Sequence, residues 1–381
     1  MGKQPKNANL NENGSTPNRD RPVDLKDLSI EELSAIATWF RQKPFMAGYI
    51  FNFIHTHGMT DIDQISPLPK RFRQRLAETG CFISQLKLVQ SFTDPDGTVK
   101  FLFETVDGCR IESVLLSDQD GRRTLCISTQ AGCRMGCAFC ATGKLKFQRN
   151  LSAAEIVDQF YLAERYNKAE LHGGRIGNVV YMGMGEPFDN YDAVMRSIRL
   201  LHDPAGRNLG QRHITVSTCG IPEGIVQFAG DGGQVRLAIS LHAPTNEIRQ
   251  RIMVVARTWT IDEVLSAVRE YQRITGRRVT FEYCLIQKLN DSDGCAHQLI
   301  GLIRNIDAAV NLIEYNPHPG CAFQASDARR IERFQSLLLK GGIETVVRYK
   351  RGQTICAACG QLGADRLSKR DPKTQSPENK T

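Results

Sequence analysis

The stretch "TLCISTQAGCRMGCAFCATGKLKFQRNLSAAEIVDQFYLAERY", residues 124–166, has the pattern of a strand, a loop and a helix. Its first residues, TLCIST, are rich in apolar and β-branched side chains, which is typical of a short buried strand. Its second half starts with Ser152 and Glu155, which have the spacing of a capping box at a helix start. Apolar residues then follow at helical spacing. A strand followed by a loop and a helix is the unit from which parallel sheets are built.

The same alternation continues towards the carboxyl end. Helical segments such as "TIDEVLSAVREYQRITG" and "DARRIERFQSLLLKGG" lie between short β-rich runs. The pattern predicts an α/β fold with a parallel sheet, either a full or partial (β/α) barrel or a doubly wound sheet, with ligands at the carboxyl ends of the strands. The β-rich runs are "NVVYMGMG", "HITVSTC", "VRLAISLHA", "RVTFEYCLI", "AVNLIEYNP" and "ETVVRY".

Changes of pattern divide the chain into six segments. Both ends are polar and rich in Asn, Pro, Lys and Ser, which favours disorder. The capping box of Ser29 and Glu32 begins a helical region, and the turn signals DPDG and DG separate β-rich runs after it. We predict a disordered tail over 1–22, a helical accessory domain over 23–86, a β-meander over 87–117, the barrel over 118–352, a cysteine-containing loop over 353–366 and a second disordered tail over 367–381.

Composition narrows the class of protein. The chain has 381 residues, 12 cysteines and a formal net charge of +8. It contains no apolar run of the ~18 residues that a membrane span needs and no secretory signal, so we predict a cytoplasmic protein. In a reducing compartment, clustered cysteines more often serve metal binding or catalysis than disulfides. The mild positive charge is compatible with a polyanionic partner.

Three cysteines follow the first strand of the barrel with C-x3-C-x2-C spacing, at Cys133, Cys137 and Cys140. Structural zinc sites usually combine two CxxC pairs to reach four ligands. Three thiolates on one loop can instead hold three corners of a 4Fe-4S cluster and leave one iron open for a substrate. The alternative is a set of buried or zinc-binding cysteines. One strand–helix unit later, "GMGEP" at residues 183–187 places Gly185 and Glu186 at a strand end, where a ligand would bind.

The cysteine spacing resembles that of the radical S-adenosylmethionine superfamily. Four further motifs, "CISTQAGC", "FCATG", "SLHAP" and "ICAACGQLGAD", resemble the RlmN/Cfr family of RNA methyltransferases over residues 27–366. The resemblance implies a partial (β/α)6 barrel with a small helical amino-terminal domain and a β-meander. It implies that Cys133, Cys137 and Cys140 bind one 4Fe-4S cluster. The residues that it assigns to the S-adenosylmethionine pocket are Gly185, Glu186, Ser217, Ser240, Leu241, His242 and Asn316.

The resemblance also implies a mechanism that uses two molecules of S-adenosylmethionine per turnover. One methylates Cys359, and the other yields the radical that activates this methyl group for addition to an adenine carbon. Cys126 then releases the product by forming a disulfide with Cys359, and Glu112 accepts the proton from the ring carbon. Cys356 is a departure from the family pattern, which commonly has an acidic residue there, and its thiol could form a competing disulfide.

The resemblance favours methylation of C2 of an adenine in 23S rRNA and in tRNA. Two alternatives remain: methylation of C8 of the adenine, as in another branch of the family, and a radical or iron-sulfur enzyme with a non-RNA substrate. Three basic clusters, at residues 69–76, 143–149 and 348–353, are candidate RNA contacts. We further expect a flavodoxin or ferredoxin as electron donor, a monomer, and no membrane partner.

Overall fold

A computed structural model describes residues 22–118, 120–348 and 350–368. The predicted disordered tails lie outside the described residues, apart from residue 22 and residues 367–368. The strands are β1 (Val23–Asp24), β2 (Cys81–Phe82), β3 (Lys87–Thr93), β4 (Val99–Glu104), β5 (Arg110–Ser117), β6 (Arg123–Cys126), β7 (Gln130–Ala131), β8 (Arg149–Asn150), β9 (Asn178–Tyr181), β10 (Ile214–Thr218), β11 (Arg236–Ser240), β12 (Val279–Leu285), β13 (Ala308–Glu314) and β14 (Glu344–Arg348). The helices are α1 (Ile30–Trp39), α2 (Met46–His55), α3 (Lys70–Glu78), α4 (Ala153–Glu170), α5 (Tyr191–His202), α6 (Pro222–Asp231), α7 (Asn246–Ile252), α8 (Ile261–Thr275), α9 (Asp293–Ile303), α10 (Ala328–Lys340) and α11 (Ala364–Ser368).

One mixed sheet organises the structure, with the strand order β14-β13-β12-β11-β10-β9-β6-β5-β4-β3. The strands from β6 and from β9 to β14 pair in parallel. Helices connect each of these strands to the next, which makes six strand–helix units followed by a last parallel strand. The predicted α/β partial barrel is confirmed. Because all these strands run in one direction, their carboxyl ends meet at one edge of the sheet.

The predicted β-meander is present as an antiparallel extension of the same sheet. β3 pairs with β4, β4 with β5, and β5 with the first barrel strand β6. Gly97 and Gly108 occupy the two turns with φ of +81° and +80°, a conformation that glycine adopts without steric cost. The pairing of β5 with β6 places the meander beside the strand that precedes the cysteine loop.

The helices α1, α2 and α3 form a small layer beside the barrel, and a buried ion pair connects this region to α4. Lys26 Nζ lies 2.6 Å from Asp158 Oδ1 of α4, and both side chains are almost completely buried. The other oxygen of Asp158 accepts a hydrogen bond from the backbone N–H of Leu86. The capping boxes predicted at Ser29 and Ser152 both form. Among the described residues, no helix has the length and apolar character needed to cross a membrane.

Candidate active site

The cysteine loop is held in one conformation by glycines and backbone hydrogen bonds. Gly132 has φ of +81°, and a Cβ there would lie 2.4 Å from the carbonyl oxygen of Lys146. The N–H of Ala138 donates to the carbonyl oxygen of Ile252 at the end of α7, with an N–O distance of 2.8 Å. Cys133, Cys137 and Cys140 all line one cavity of about 170 Å³ at the carboxyl edge of the sheet.

The three thiols of this loop fit an iron-sulfur cluster better than a single ion. Burial is the largest cause and nearby thiols add to it, so that the pKa of Cys133 is raised to about 12 and that of Cys137 well above its usual value. Such thiols lose their protons only when a bound cation supplies positive charge. Within the described parts of the chain, no three His, Cys, Asp or Glu side chains are grouped closely enough to hold one metal ion. A cubane instead spreads its thiolate ligands over different irons.

Glu186 lines the same cavity and lies in the loop that follows β9. Gly185 precedes it with φ of +106°, and a Cβ at this position would lie 2.7 Å from the Cβ of Gln130. The Glu186 carboxylate accepts hydrogen bonds from the N–H groups of Cys219 and Phe188, at 2.7 and 3.0 Å. Burial raises the pKa of Glu186, although these hydrogen bonds oppose the effect. A carboxylate held in this way can accept a hydrogen bond from an ammonium group.

Two serines and a histidine complete the wall formed by β10 and β11. The hydroxyl oxygens of Ser217 and Ser240 are 3.4 Å apart, and both residues line the cavity. His242 adopts a left-handed backbone conformation with φ of +58°, which is uncommon for a side chain with a Cβ. Its Nδ1 accepts the N–H of Cys284 at 3.0 Å, and burial lowers its pKa to about 3. The ring is therefore neutral, with its proton on Nε2.

Leu241 and Asn316 are the two predicted pocket residues that do not line this cavity. The Leu241 side chain is fully buried in the hydrophobic core. Asn316 donates its side-chain N–H to the carbonyl oxygen of Cys359 at 3.1 Å and lines a neighbouring cavity.

The neighbouring cavity, of about 150 Å³, contains Cys126 at the end of β6. Cys359 and Arg348 line both cavities, so the two meet at these residues. The loop that carries Cys359 is joined to the cysteine loop, because the N–H of Ala141 donates to the carbonyl oxygen of Gly360 at 2.7 Å. Cys359 retains exposed surface at this junction, while the protein atoms crowded around its thiol raise its pKa.

Arg348 and Glu282 form an ion pair that the sequence analysis missed. Arg348 Nη2 lies 3.0 Å from Glu282 Oε1, which also accepts a hydrogen bond from Asn311. The other oxygen of Glu282 is buried and has no hydrogen-bond partner within the described residues, although Glu282 lines the cavity of the three cysteines. The charge of Arg348 lowers the pKa of both Cys359 and Cys126, against the larger effect of burial.

The basic cluster at 348–353 was predicted as an RNA contact, and its arginines and lysine are engaged with protein groups. Lys350 pairs with Glu314, and Arg351 pairs with Asp118 at 3.2 Å. A basic run at a strand end is usually a solvated surface, which is why sequence alone did not suggest that Arg348 lies inside the pocket. The role of this cluster in RNA binding stays a prediction.

Glu112 lies in β5 beneath the Cys359 loop and outside both cavities. One of its carboxylate oxygens accepts the N–H of Gly363 at 3.0 Å, and the other is 4.0 Å from Arg366. Burial raises its pKa, while the charge of Lys100 opposes this effect. A glutamate in a half-polar strand is commonly solvated, yet Glu112 is only 3% exposed.

Cys356 and Cys359 have different surroundings although three positions separate them. Cys356 is half-buried and has φ of +50°. Burial raises the pKa of its thiol, and its charged neighbours are Asp365, Lys100 and Glu112 rather than Arg348. All twelve cysteines have free thiols, so the disulfide predicted between Cys126 and Cys359 is not formed in this structure.

Comparison with known proteins identifies the family. The family model of the Radical SAM superfamily matches residues 127–297, and that of the ribosomal RNA large subunit methyltransferase N-terminal domain matches residues 23–82. The chain is 44% identical over 346 residues to the probable dual-specificity RNA methyltransferase RlmN of Symbiobacterium thermophilum, covering 89% of this chain and 90% of that protein. The chain belongs to the RlmN family.

Other members support this assignment. The dual-specificity RNA methyltransferase RlmN of Anaeromyxobacter dehalogenans is 41% identical, with 91% of this chain and 93% of that protein covered. The crystal structure of a radical SAM methyltransferase from Sphaerobacter thermophilus has 44% identity and a TM-score of 0.85, covering 90% of this chain and 100% of that chain. Membership of the radical SAM superfamily implies a 4Fe-4S cluster and S-adenosylmethionine as cofactors.

Proposed function

We propose that this chain methylates C2 of an adenine in large-subunit ribosomal RNA and in tRNA, through a methyl group carried by Cys359. The observation that supports this proposal best is the position of Cys359 where two cavities meet. The first cavity contains the three clustered cysteines and Glu186, and the second contains Cys126. The names of the RlmN relatives favour the C2 branch of the family and two kinds of RNA substrate.

The first cavity is the proposed site of the cluster and of S-adenosylmethionine. Cys133, Cys137 and Cys140 would hold the cluster, which supplies the electron for radical formation when it is bound. Glu186 would accept a hydrogen bond from the amino group of the methionine moiety, and Ser217 and Ser240 would bind its polar groups. The unpartnered oxygen of Glu282 offers a further acceptor at this wall.

The second cavity is the proposed site of the target adenine, which must leave its stack to reach Cys359. Cys359 would accept a methyl group as a thiolate, and the adjacent Arg348 stabilises this charged form. After the methyl carbon has been joined to the base, the thiolate of Cys126 would attack the sulfur of Cys359. The S–S bond would form as the bond from that sulfur to the methylene carbon breaks, and this carbon would keep the electron pair and take up a proton to become the methyl group. Glu112 would accept the ring proton, for which a carboxyl group of raised pKa is suited.

The remaining parts of the proposal concern partners. Two molecules of S-adenosylmethionine would be used per turnover, one for Cys359 and one for radical formation. A flavodoxin or a ferredoxin would donate the electron. The enzyme would act as a monomer in the cytoplasm.

The test separates the two thiols by what accumulates when each is removed. Cys359→Ala should form neither methylated RNA nor a covalent protein–RNA adduct. Cys126→Ala should build the adduct but fail to release it, because no thiol attacks the sulfur of Cys359. Denaturing electrophoresis would show a slowly migrating species that nuclease collapses. Mass spectrometry of methyladenosine isomers in separated rRNA and tRNA would identify the methylated carbon.

Cys109→Ala is the matched control, since Cys109 lies in the turn before β5 and lines neither cavity. This variant should behave like the wild type in both assays. An adduct that persists in Cys359→Ala would remove Cys359 from its proposed role. Methylation at C8 alone would reject the C2 assignment.

A further inference from the structure

A third cavity, of about 510 Å³, lies at the opposite edge of the parallel sheet from the candidate active site. It is lined by the end of α2, the last turns of α4, and residues of the loops that lead into β9 and β10. Because these loops precede their strands, the cavity lies at the amino ends of the strands. The clustered cysteines lie at the carboxyl ends, so this cavity is separate from the site described above.

Positive charge dominates this cavity. Arg165, Lys168, Arg175 and Arg207 line it, and Glu164 is its one carboxylate among the described lining residues. Two helix carboxyl ends add about half a negative charge each. These contributions still leave an excess of about two positive charges. Clustered like charges disfavour the folded state, and a bound anion would relieve their repulsion.

Two buried side chains in this cavity have polar atoms without a partner. The side chain of Arg207 is 9% exposed, pairs with Glu164 and lies over the ring of Phe160. Within the described part of the chain, its Nε has no hydrogen-bond acceptor. His55 is 1% exposed, and its Nδ1 lies 2.7 Å from the Tyr161 hydroxyl oxygen, while its Nε2 has no partner among the described residues. A buried polar group without a partner destabilises the folded state, and a ligand that supplies the partner would remove this cost.

The exposed cations of the cavity have few protein partners. Arg175 donates one hydrogen bond, to the carbonyl oxygen of Arg207 at 3.4 Å, and Arg165 donates one to the carbonyl oxygen of Gly58 at 3.0 Å. Arg175 and Lys168 lie near enough to Glu164 to lower the pKa of its carboxyl group, but within the described part of the chain Arg207 is the residue that forms a close ion pair with it. Their donors therefore remain available to a ligand. The negative end of the α4 dipole explains why cations lie in the last turns of that helix. It does not explain Arg175 and Arg207, because they lie in loops.

We propose that this basic cavity binds a phosphate group. Guanidinium groups suit the oxygens of phosphate because they present several N–H donors in a fixed plane. The phosphate comes either from the backbone of an RNA, at a distance from the target adenine, or from a free phosphate-bearing molecule. Binding of an RNA phosphate rests on the proposed function and extends it, because the basic cavity would then hold the RNA substrate far from the candidate active site. Binding of a free phosphate-bearing molecule is independent of that function.

The experiment compares two double variants of the full chain that lose the same charge. Lys168→Ala with Arg175→Ala removes two cations of the basic cavity. Arg269→Ala with Lys340→Ala removes two exposed cations of α8 and α10 and serves as the control. Binding of a tRNA transcript is measured by fluorescence anisotropy across a salt series, and binding of inorganic pyrophosphate is measured by calorimetry. Methylation of Cys359 without RNA checks that each variant is folded and that the proposed chemistry is intact.

If the phosphate belongs to RNA, the cavity variant should bind the transcript at least about fivefold more weakly, and the slope of log affinity against log salt should fall by about 1–2. The control pair should change affinity by less than about twofold. If the phosphate belongs to a free molecule, pyrophosphate should bind the wild type and the control but not the cavity variant. Equal binding of both probes by all three proteins, or equal losses in the two double variants, would overturn the proposal.

Discussion

Two groups of thiols lie at the same edge of the sheet in different electrostatic surroundings. Cys133, Cys137 and Cys140 crowd together, and burial and mutual repulsion raise the pKa of Cys133 and Cys137. Protein atoms around the thiols of Cys126 and Cys359 also raise their pKa, although Cys359 keeps exposed surface, but the guanidinium of Arg348 lies beside both and favours their charged forms. Arg249 has the same effect on Cys137, but there the neighbouring thiols outweigh it. The two groups therefore differ in the balance between neighbouring thiols and a nearby guanidinium, and burial dominates in both.

The largest effect should come from breaking the first group. Cys137→Ala removes one of three thiolates, and we expect the loss of the cluster and of all RNA methylation. The iron and sulfide content of anaerobically prepared protein should fall from about four of each per chain, which is the content of a cubane, to a small fraction of that number. Cys109→Ala should retain the full content. If the wild-type protein instead contained zinc and were stable in air, the distinction between the two groups of thiols would be wrong.

The second effect concerns Glu112, the proposed proton acceptor beneath the Cys359 loop. Glu112→Gln keeps the shape of the side chain and its contact with the N–H of Gly363, but it cannot accept a proton. Methylated product should fall by about 10²–10⁴-fold, while the covalent adduct still forms. Single-turnover assays with gel analysis of the adduct would check both parts. Normal product formation would show that Glu112 is a structural carboxylate.

The third effect tests the cation of the second group. Arg348→Met removes the positive charge beside Cys359, so the pKa of this thiol should rise and less thiolate should be present at neutral pH. We expect methylation of Cys359 to be about tenfold slower at pH 7 and to recover as pH increases, in mass-spectrometric rate measurements. Arg278→Met is the control, since Arg278 pairs with Glu344 at the other end of β14. An unchanged pH profile in Arg348→Met would mean that Arg348 does not stabilise the thiolate.

The smallest effect should come from Cys356, which departs from the family pattern. Its thiol is surrounded by Asp365, Lys100 and Glu112 and lines neither cavity, so Cys356→Ala should keep methylation within about twofold of the wild type. Cys356→Asp, which restores the acidic residue common in the family, should behave in the same way. Loss of the adduct in Cys356→Ala would instead move the methyl-carrying role to this cysteine.

Local sequence patterns determined the fold class and the three-cysteine loop. Strand and helix periods repeat within windows of a few residues, and capping boxes such as Ser152 with Glu155 act over three residues, so they can be recognised without tertiary information. The spacing of Cys133, Cys137 and Cys140 is also local, because one loop supplies all three thiols. The division into domains, which rests on changes of sequence pattern, and the roles of the site residues, which the family resemblance supplied, stay predictions.

Tertiary structure alone decided which residues share the pocket with Cys359. Arg348 and Glu282 are 66 residues apart, and they meet because β12, β13 and β14 lie side by side with a fixed register. No local pattern records that contact, since a basic residue at a strand end has the same sequence signature whether it faces solvent or a cavity. The basic cavity has the same origin, because α2, α4 and two distant loops bring its cations together only in the folded chain. Side-chain charge can be counted in the sequence, but the partners that set its effect depend on how the strands and helices pack.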